Sequence, residues 1–339
     1  MKSVITVTIL IIFAMNYSYG QKLEPREDSN RKWGFVDETG KTIIPYEYDC
    51  AWNFYDGLAR VGKSYEGPGS CAGDFKRGFI DMSGKVVIPL KYDYIEDYND
   101  DSSPFSKEGL AVVSIGVQLG CEYDMYGGKW GFIDKTGKEV IPLKYDGAEK
   151  FSEGFAVVML NNKWGFIDKT GKEVIPLKYN WARGFHEGLA IVCLDGKHGF
   201  INKTGTIEIP LKYDAINGFS EGYRVCINIG ILSAKWGLLD KKGKEIVPLK
   251  YDYISSFSKG FAAVQLNSKW GFIDTNGKEV IHLKYDGVNM TAFDDDVEFS
   301  TDGTIAVHIN SKWGVISMDG TVVVPFNYND THSAQNAKP

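Results

Sequence analysis

Histidine and cysteine are scarce in this 339-residue chain, with five of each. The histidines (His186, His198, His282, His308 and His332) stand at unrelated places. No zinc-protease helix motif, Gly-x-Ser-x-Gly elbow, phosphate loop or Cys-x-x-Cys pair occurs. Acid–base or nucleophilic chemistry needs a distinct constellation of such groups. The sequence therefore predicts no catalytic residue, no cofactor and no metal site, and reads as a non-enzyme. Basic blocks are missing as well: the formal net charge is −6, which argues against nucleic acid as a partner. Apolar runs are short. A membrane-spanning helix needs about twenty apolar residues, whereas the longest uncharged apolar stretch, Val4 to Met15, has twelve. No integral membrane segment is expected in the mature chain.

That stretch has the form of a secretory signal instead. Lys2 supplies the positive start, Val4 to Met15 the apolar middle, and the small residues Ser18 and Gly20 suit cleavage before Gln21. Residues 1–20 are expected to direct export to the periplasm, cell surface or exterior. Residues 21–30 are expected to be a linker and the polar tail 330–339 to be disordered.

What the chain has in abundance is one phrase, seen at Lys129-Trp130-Gly131-Phe132-Ile133-Asp134 and continued by Lys-Thr-Gly-Lys and then Glu139-Val140-Ile141-Pro142-Leu143-Lys144-Tyr145-Asp146. Its copies are anchored on Gly34, Gly78, Gly131, Gly165, Gly199, Gly237, Gly271 and Gly314, at intervals of 44, 53, 34, 34, 38, 34 and 43 residues. The unit is thus about 34 residues, repeated eight times between residues 31 and 329 with insertions. A period of this size marks units that need their neighbours to bury their apolar faces.

Residues 154–180 are the cleanest copy. Phe155 to Leu160 is an apolar run of strand length. Asn161-Asn162 suits a two-residue hairpin turn, because Asn tolerates the positive φ required. Trp164 to Asp168 is a second strand, and Asp168 to Lys172 a turn closed by Gly171. Glu173 to Ile175 is a third, which Pro176 ends or holds at a sheet edge. Both faces of the first strand are apolar, so it should be covered on both sides by stacked units. Gly165 should leave room for an aromatic ring from a neighbour. The predicted fold is all-β, a tandem array of about eight three-stranded antiparallel meanders. An open array is favoured over a closed propeller, because 34 residues is short for a blade. The count is also uneven, with eight Trp-Gly hairpins and seven first strands.

In these motifs the chain resembles the bacterial WG-repeat (KWG-repeat) proteins across residues 31–329. The resemblance implies a repeat scaffold, often exported, and brings no catalytic residue with it. Arg77 and His198 replace the motif Trp, and His282 the Pro. A unit that survives without its Trp uses that ring for packing.

Other recurring residues have a plain reading and a sharper one. Asp37, Asp81, Asp134, Asp168, Asp240 and Asp274, with Asn202 in the same slot, suit turn starts better than a metal ladder. Lys91, Lys144, Lys178, Lys212, Lys250 and Lys284 would align in one row beside tyrosines. Such a row could hold an acidic glycan, but lysines that discourage strand addition at a sheet edge explain it more simply. The acidic loops at 96–101 and 294–298 lack calcium-loop spacing and read as solvated. Cys71 and Cys121, in enlarged hairpins of consecutive units, are a candidate disulfide. Cys193 and Cys226, one register apart, are expected to be buried thiols facing opposite ways. The leading expectation is an exported, non-catalytic binding or scaffolding surface for protein partners. A carbohydrate-binding or adhesive envelope protein is the alternative, and an enzyme with a cryptic site the third.

Overall fold

Asn161 and Asn162 both take positive φ, 52° and 59°, and so close a two-residue hairpin whose twist matches its strands. The computed structural model repeats that hairpin along the chain. It describes residues 22–64, 75–95, 103–119, 125–219, 222–228, 234–240, 242–290, 297 and 299–337. These form two units, residues 1–188 and 189–339. The expected signal segment 1–20 and the Cys71–Cys121 pair lie outside the described residues. Every sheet is small and antiparallel, of three or four strands, and the fold is all-β as the sequence predicts.

One sheet stands for the others. Its strand order is Gly147–Ala148, Phe155–Leu160, Lys163–Asp168 and Glu173–Tyr179. The meander thus gains a short fourth strand from the connection between copies, where Gly147 and Ala148 pair with Met159 and Val158. The third strand also runs further than expected. Pro176 does not end it: Ile175 lies opposite Phe166 and Tyr179 opposite Trp164, so three residues on one strand face the single Gly165 on the other. This is a bulge, a place where a sheet accommodates a residue that cannot donate to the ladder.

The bulge explains the motif glycine, and corrects its expected role. A Cβ on Gly165 would lie 2.7 Å from the Ile175 carbonyl oxygen and 2.8 Å from the Leu177 backbone. The space serves the third strand's own backbone and not a neighbouring ring. All eight motif glycines meet the same strand, at between 2.3 and 2.7 Å for the nearest carbonyl oxygen.

The sheets of each unit stack front to back. Phe132 and Ile141, on the back of one sheet, are buried with Ala156, Val158 and Ile167 on the front of the next. The same sets recur as Phe79 and Ile88 with Ala111, Val113 and Ile133, and as Phe35 and Ile44 with Ala59, Val61 and Ile80. In the second unit Leu238 and Val247 meet Ala262, Val264 and Ile273. Turn glycines complete the seat: a Cβ on Gly171 would come within 3.3 Å of Ile141, and one on Gly84 within 3.3 Å of Ile44. The connecting phenylalanine closes the remaining gap, with Phe151 on Phe132 and Phe185 on Phe166, each at 4.9 Å between ring centroids.

A second device ties neighbours together, built from the Lys of Lys-Trp-Gly and the Asp of Tyr-Asp, seventeen residues apart. Lys129 Nζ donates to Asp146 Oδ1 at 2.6 Å. Asp146 Oδ2 accepts the N–H of Asn161 at 2.7 Å, at the hairpin tip of the next sheet. The Asp146 N–H donates to the Met159 carbonyl of that same hairpin, at 2.8 Å. One aspartate therefore holds its own sheet and its successor. Asp49, Asp93, Asp252 and Asp286 repeat the joint. In the last copy Asn329 accepts from Lys312 at 2.6 Å.

Two segments differ from expectation. Within 21–30, Glu24–Glu27 is a strand paired with Trp33–Val36, and Leu23 is buried. It supplies the first strand that the first copy lacked in the sequence count. In the tail, Thr331–Asn336 is a helix, capped by Asp330, whose carboxylate accepts the Ser333 N–H at 2.8 Å. Its Ala334 is fully buried against Ala306, Val315 and Val324, which gives a short polar segment the apolar contact that orders it.

Two outcomes follow from this packing. Gly165→Ala should destabilise the chain by about 1–3 kcal/mol, the usual cost of forcing atoms into filled space, measured by denaturant unfolding; an unchanged midpoint would mean the bulge yields freely. The joints also fix a pH response. Lys129 and the Asn161 N–H hold the Asp146 carboxyl below the ordinary aspartate value of 3.8, and Lys235 does the same for Asp252. A folded pKa below the unfolded one stabilises the fold fully above about pH 4 and is lost as pH falls below that through the folded value. Thermal midpoints should be level from about pH 5 to 8 and fall below about pH 4. Asp146→Asn should shallow that acid slope, as Asn329 already serves the last joint.

Candidate functional site

A surface for binding has to come from what the stacking and the joints leave free. On each third strand the order of exposure repeats, as in Glu139-Val140-Ile141-Pro142-Leu143-Lys144-Tyr145: Ile141 and Tyr145 face inward, while Glu139, Pro142 and Lys144 are exposed. In every described sheet this strand lies at an edge. The six lysines of the row are therefore edge residues, where charge and proline obstruct the addition of a further strand.

Each of these lysines leans over a tyrosine. The Nζ-to-centroid distances are 5.1 Å for Lys91 and Tyr92, 5.0 Å for Lys144 and Tyr145, and 5.2 Å for Lys178 and Tyr179. Lys212, Lys250 and Lys284 lie at 5.2, 4.7 and 5.1 Å from Tyr213, Tyr251 and Tyr285. Such cation–π contacts at exposed sites are worth about 0.5–1 kcal/mol. The tyrosine rings are buried, and burial raises the Tyr92 hydroxyl above the ordinary value. The row is not uniformly positive. Glu139 of one sheet lies 3.9 Å from Lys91 of the sheet before it, and Glu173, Glu208 and Glu245 hold exposed positions on the other third strands. Carboxylates interleaved with ammonium groups leave little net field for a polyanion.

The turn aspartates do what turn chemistry requires. Asp134 Oδ1 accepts the N–H of Thr136 at 2.9 Å, its hydroxyl at 2.6 Å and the N–H of Lys138 at 3.1 Å. Asn202 makes the same set with Thr204 and Thr206. The acidic loops 96–101 and 294–298 fall outside the described residues, apart from buried Val297.

The replaced tryptophans keep their place in the register: Arg77 lies opposite Tyr92, and His198 opposite Tyr213. Cys193 is buried, opposite His198. Cys226 is paired opposite Trp236, so both cysteines face the motif Trp position. They share one register, where the sequence had suggested adjacent ones, because Gly222 occupies the first strand position and not the turn. Burial pushes the Cys50 thiol up to about 11, which makes it a poor nucleophile.

Clefts of about 620, 350 and 620 Å³ lie beside Phe54, Phe151 and Phe299. All three flank the connecting phenylalanine of a copy, so they are products of the repeat. In the second, burial raises the Glu149 carboxyl, which accepts the Gly184 N–H at 3.2 Å.

Among the described residues, one hairpin runs well past the ordinary turn. The strands Leu110–Leu119 and Met125–Asp134 have ten residues each, against six in the copy at Phe155–Asp168. They pass through Gly116 and Gly128, with φ of 81° and 76°, at the positions where other copies turn back. Beyond that point Val117, Gln118 and Leu119 pair only with Gly127, Tyr126 and Met125, so among the described residues this ribbon has two free edges.

A family model for a WG containing repeat matches residues 33–64, 78–116, 130–164, 164–197, 199–227, 236–270, 270–313 and 313–336. No curated protein matches the chain. Among solved structures, a eukaryotic initiation factor is 11% identical, with a TM-score of 0.32, covering 92% of this chain and 97% of its own. Hsv2 of Kluyveromyces lactis with loop 6CD replaced by a Gly-Ser linker is 8% identical, with a TM-score of 0.35, covering 89% and 96%. PorZ, a surface component of the type-IX secretion system of Porphyromonas gingivalis, is 10% identical, with a TM-score of 0.28, covering 90% and 38%. Scores this low bear on neither topology nor activity. The eight successive family matches take in most of the sequence, and by them the chain belongs to the WG containing repeat family.

Proposed function

We propose that this is an exported, non-catalytic repeat protein whose surface binds or scaffolds protein partners, with the long hairpin as its main point of recognition. The ribbon that leaves the sheet at Gly116 and Gly128 carries the reading. Its free edges offer rows of backbone donors and acceptors, the chemistry by which an extended protein segment adds to a sheet. The regular edges, with their prolines and lysines, resist that addition. The carboxylates that recur in most copies are engaged in turns and joints, which supports a structural role for them in place of acid–base work. Export rests on the pattern of residues 1–20. No helix among the described residues is long and apolar enough to cross a membrane. An acidic glycan on the lysine row is the weaker reading, because Glu139 and its counterparts share that surface.

The test compares the intact chain with one in which residues 116–128 are replaced by Asn-Gly, which restores the ordinary turn. Both are immobilised and exposed to envelope and culture-medium fractions, and retained proteins are identified by mass spectrometry. Proteins held by the intact chain should be lost from the shortened one, with circular dichroism unchanged. Equal retention by both would overturn the assignment to the hairpin. In the same assay Lys144, Lys178 and Lys212 replaced together by Ala should leave retention unaltered; acidic-glycan binding that disappears in this variant would favour the glycan reading.

A further inference from the structure

The surfaces that stack successive sheets recur from copy to copy within each unit. At the front of the first sheet and at the back of the last the residues change. On an interior front the exposed-side positions of the first strand are apolar, as with Ala156 opposite Ile167 and Val158 opposite Gly165. In the first copy the equivalent positions are Glu24 opposite Val36 and Arg26 opposite Gly34. Both side chains are exposed, and Glu24 pairs with Lys22 at 2.9 Å. The turn glycine shows the same substitution of chemistry. A Cβ on Gly137, Gly171 or Gly320 would meet an isoleucine of the preceding copy, whereas one on Gly40 would meet only Arg26 Nη1, at 3.7 Å.

The back of the last copy changes in a complementary manner. Where interior backs carry Phe132 opposite Ile141, or Phe272 opposite Ile281, this one carries Val315 opposite Val324. The volume given up is taken by the helix Thr331–Asn336, whose buried Ala334 sits with Val315 and Val324 where a following sheet would bring its own Ala and Val. Six residues make too short a helix to persist alone in water, so this one depends on the seat it fills.

We propose that these two elements are caps that prevent a second copy of this chain from stacking on the first: Glu24 and Arg26 close the front of the first sheet, and the helix Thr331–Asn336 occupies the back of the last. The occupant kept out is a second copy, because the front and back surfaces already fit one another within each unit. An exposed apolar face of this kind is an association hazard that repeat proteins must cover. The caps act independently of the binding assigned to the hairpin.

Mixing two half-uncapped chains tests this without forming polymers. One carries Glu24→Ala and Arg26→Val; the other lacks residues 330–339. Each alone should sediment at the mass of a single chain across a wide concentration range, as the unaltered protein should. Mixed, they should form a one-to-one complex of twice that mass. Absence of the complex would overturn the proposal. So would equal binding of the shortened chain to the unaltered protein, since the polar front would then exclude nothing. Should the shortened chain lose its circular dichroism signal, Ala334→Asp, which displaces the helix in a complete chain, takes its place in the same mixing experiment.

Discussion

The aspartate that follows the motif tyrosine in most copies is the constraint on which the architecture rests. A 34-residue meander has too little interior to stand alone, so its stability depends on how reliably it meets the next. Apolar stacking supplies the attraction but little direction. Asp146 supplies direction, because its carboxylate and its N–H reach three groups at fixed geometry: Lys129 in its own sheet, and Asn161 and Met159 in the following one. With a charged donor on one side and a backbone donor and acceptor on the other, the distance between sheets is fixed. The phenylalanine and isoleucine layers then pack at that distance.

The motif residues fall into two classes once the joint is seen. Gly165, Pro176 and Ile175 shape a single sheet through the bulge. Lys129, Asp146 and the connecting Phe151 work between sheets. Trp lies at the margin of both, paired across from Tyr on the third strand, which is why Arg77 or His198 can take its position. The lysine row belongs to neither class, since it lies on the free edge with glutamates for company.

Strand periodicity, the Asn161-Asn162 turn and the turn aspartates were legible in the sequence because each is a local preference. The rest depends on pairs distant in sequence. Pro176 reads locally as a terminator, and only the absence of a side chain on Gly165, eleven positions earlier, lets the strand continue. The constant interval between Lys and Asp was visible throughout, yet no local rule gives it meaning. Glu24-Pro25-Arg26-Glu27 carries no apolar signature, since Glu24, Arg26 and Glu27 are exposed. The helix Thr331–Asn336 has one buried residue, Ala334, and so no periodicity to detect. For the site, the edge placement of the lysines was inferable; the approach of Glu139 to Lys91 of the copy before it was not.

Because each aspartate reaches only the next hairpin, length added past the hairpin tip lies outside the mechanical frame. The paired glycines Gly116 and Gly128 show how the chain uses this freedom: Gly116 still donates its N–H to Asp93 at 2.7 Å, as an ordinary tip does, and then lets the strands go on. Val117, the first residue beyond that contact, is still buried in the core, and the residues after it pair only with the returning strand. A lineage of such proteins can thus diversify by lengthening one tip at a time, with every inherited neighbour contact intact, and acquire new surfaces without redesigning its interior.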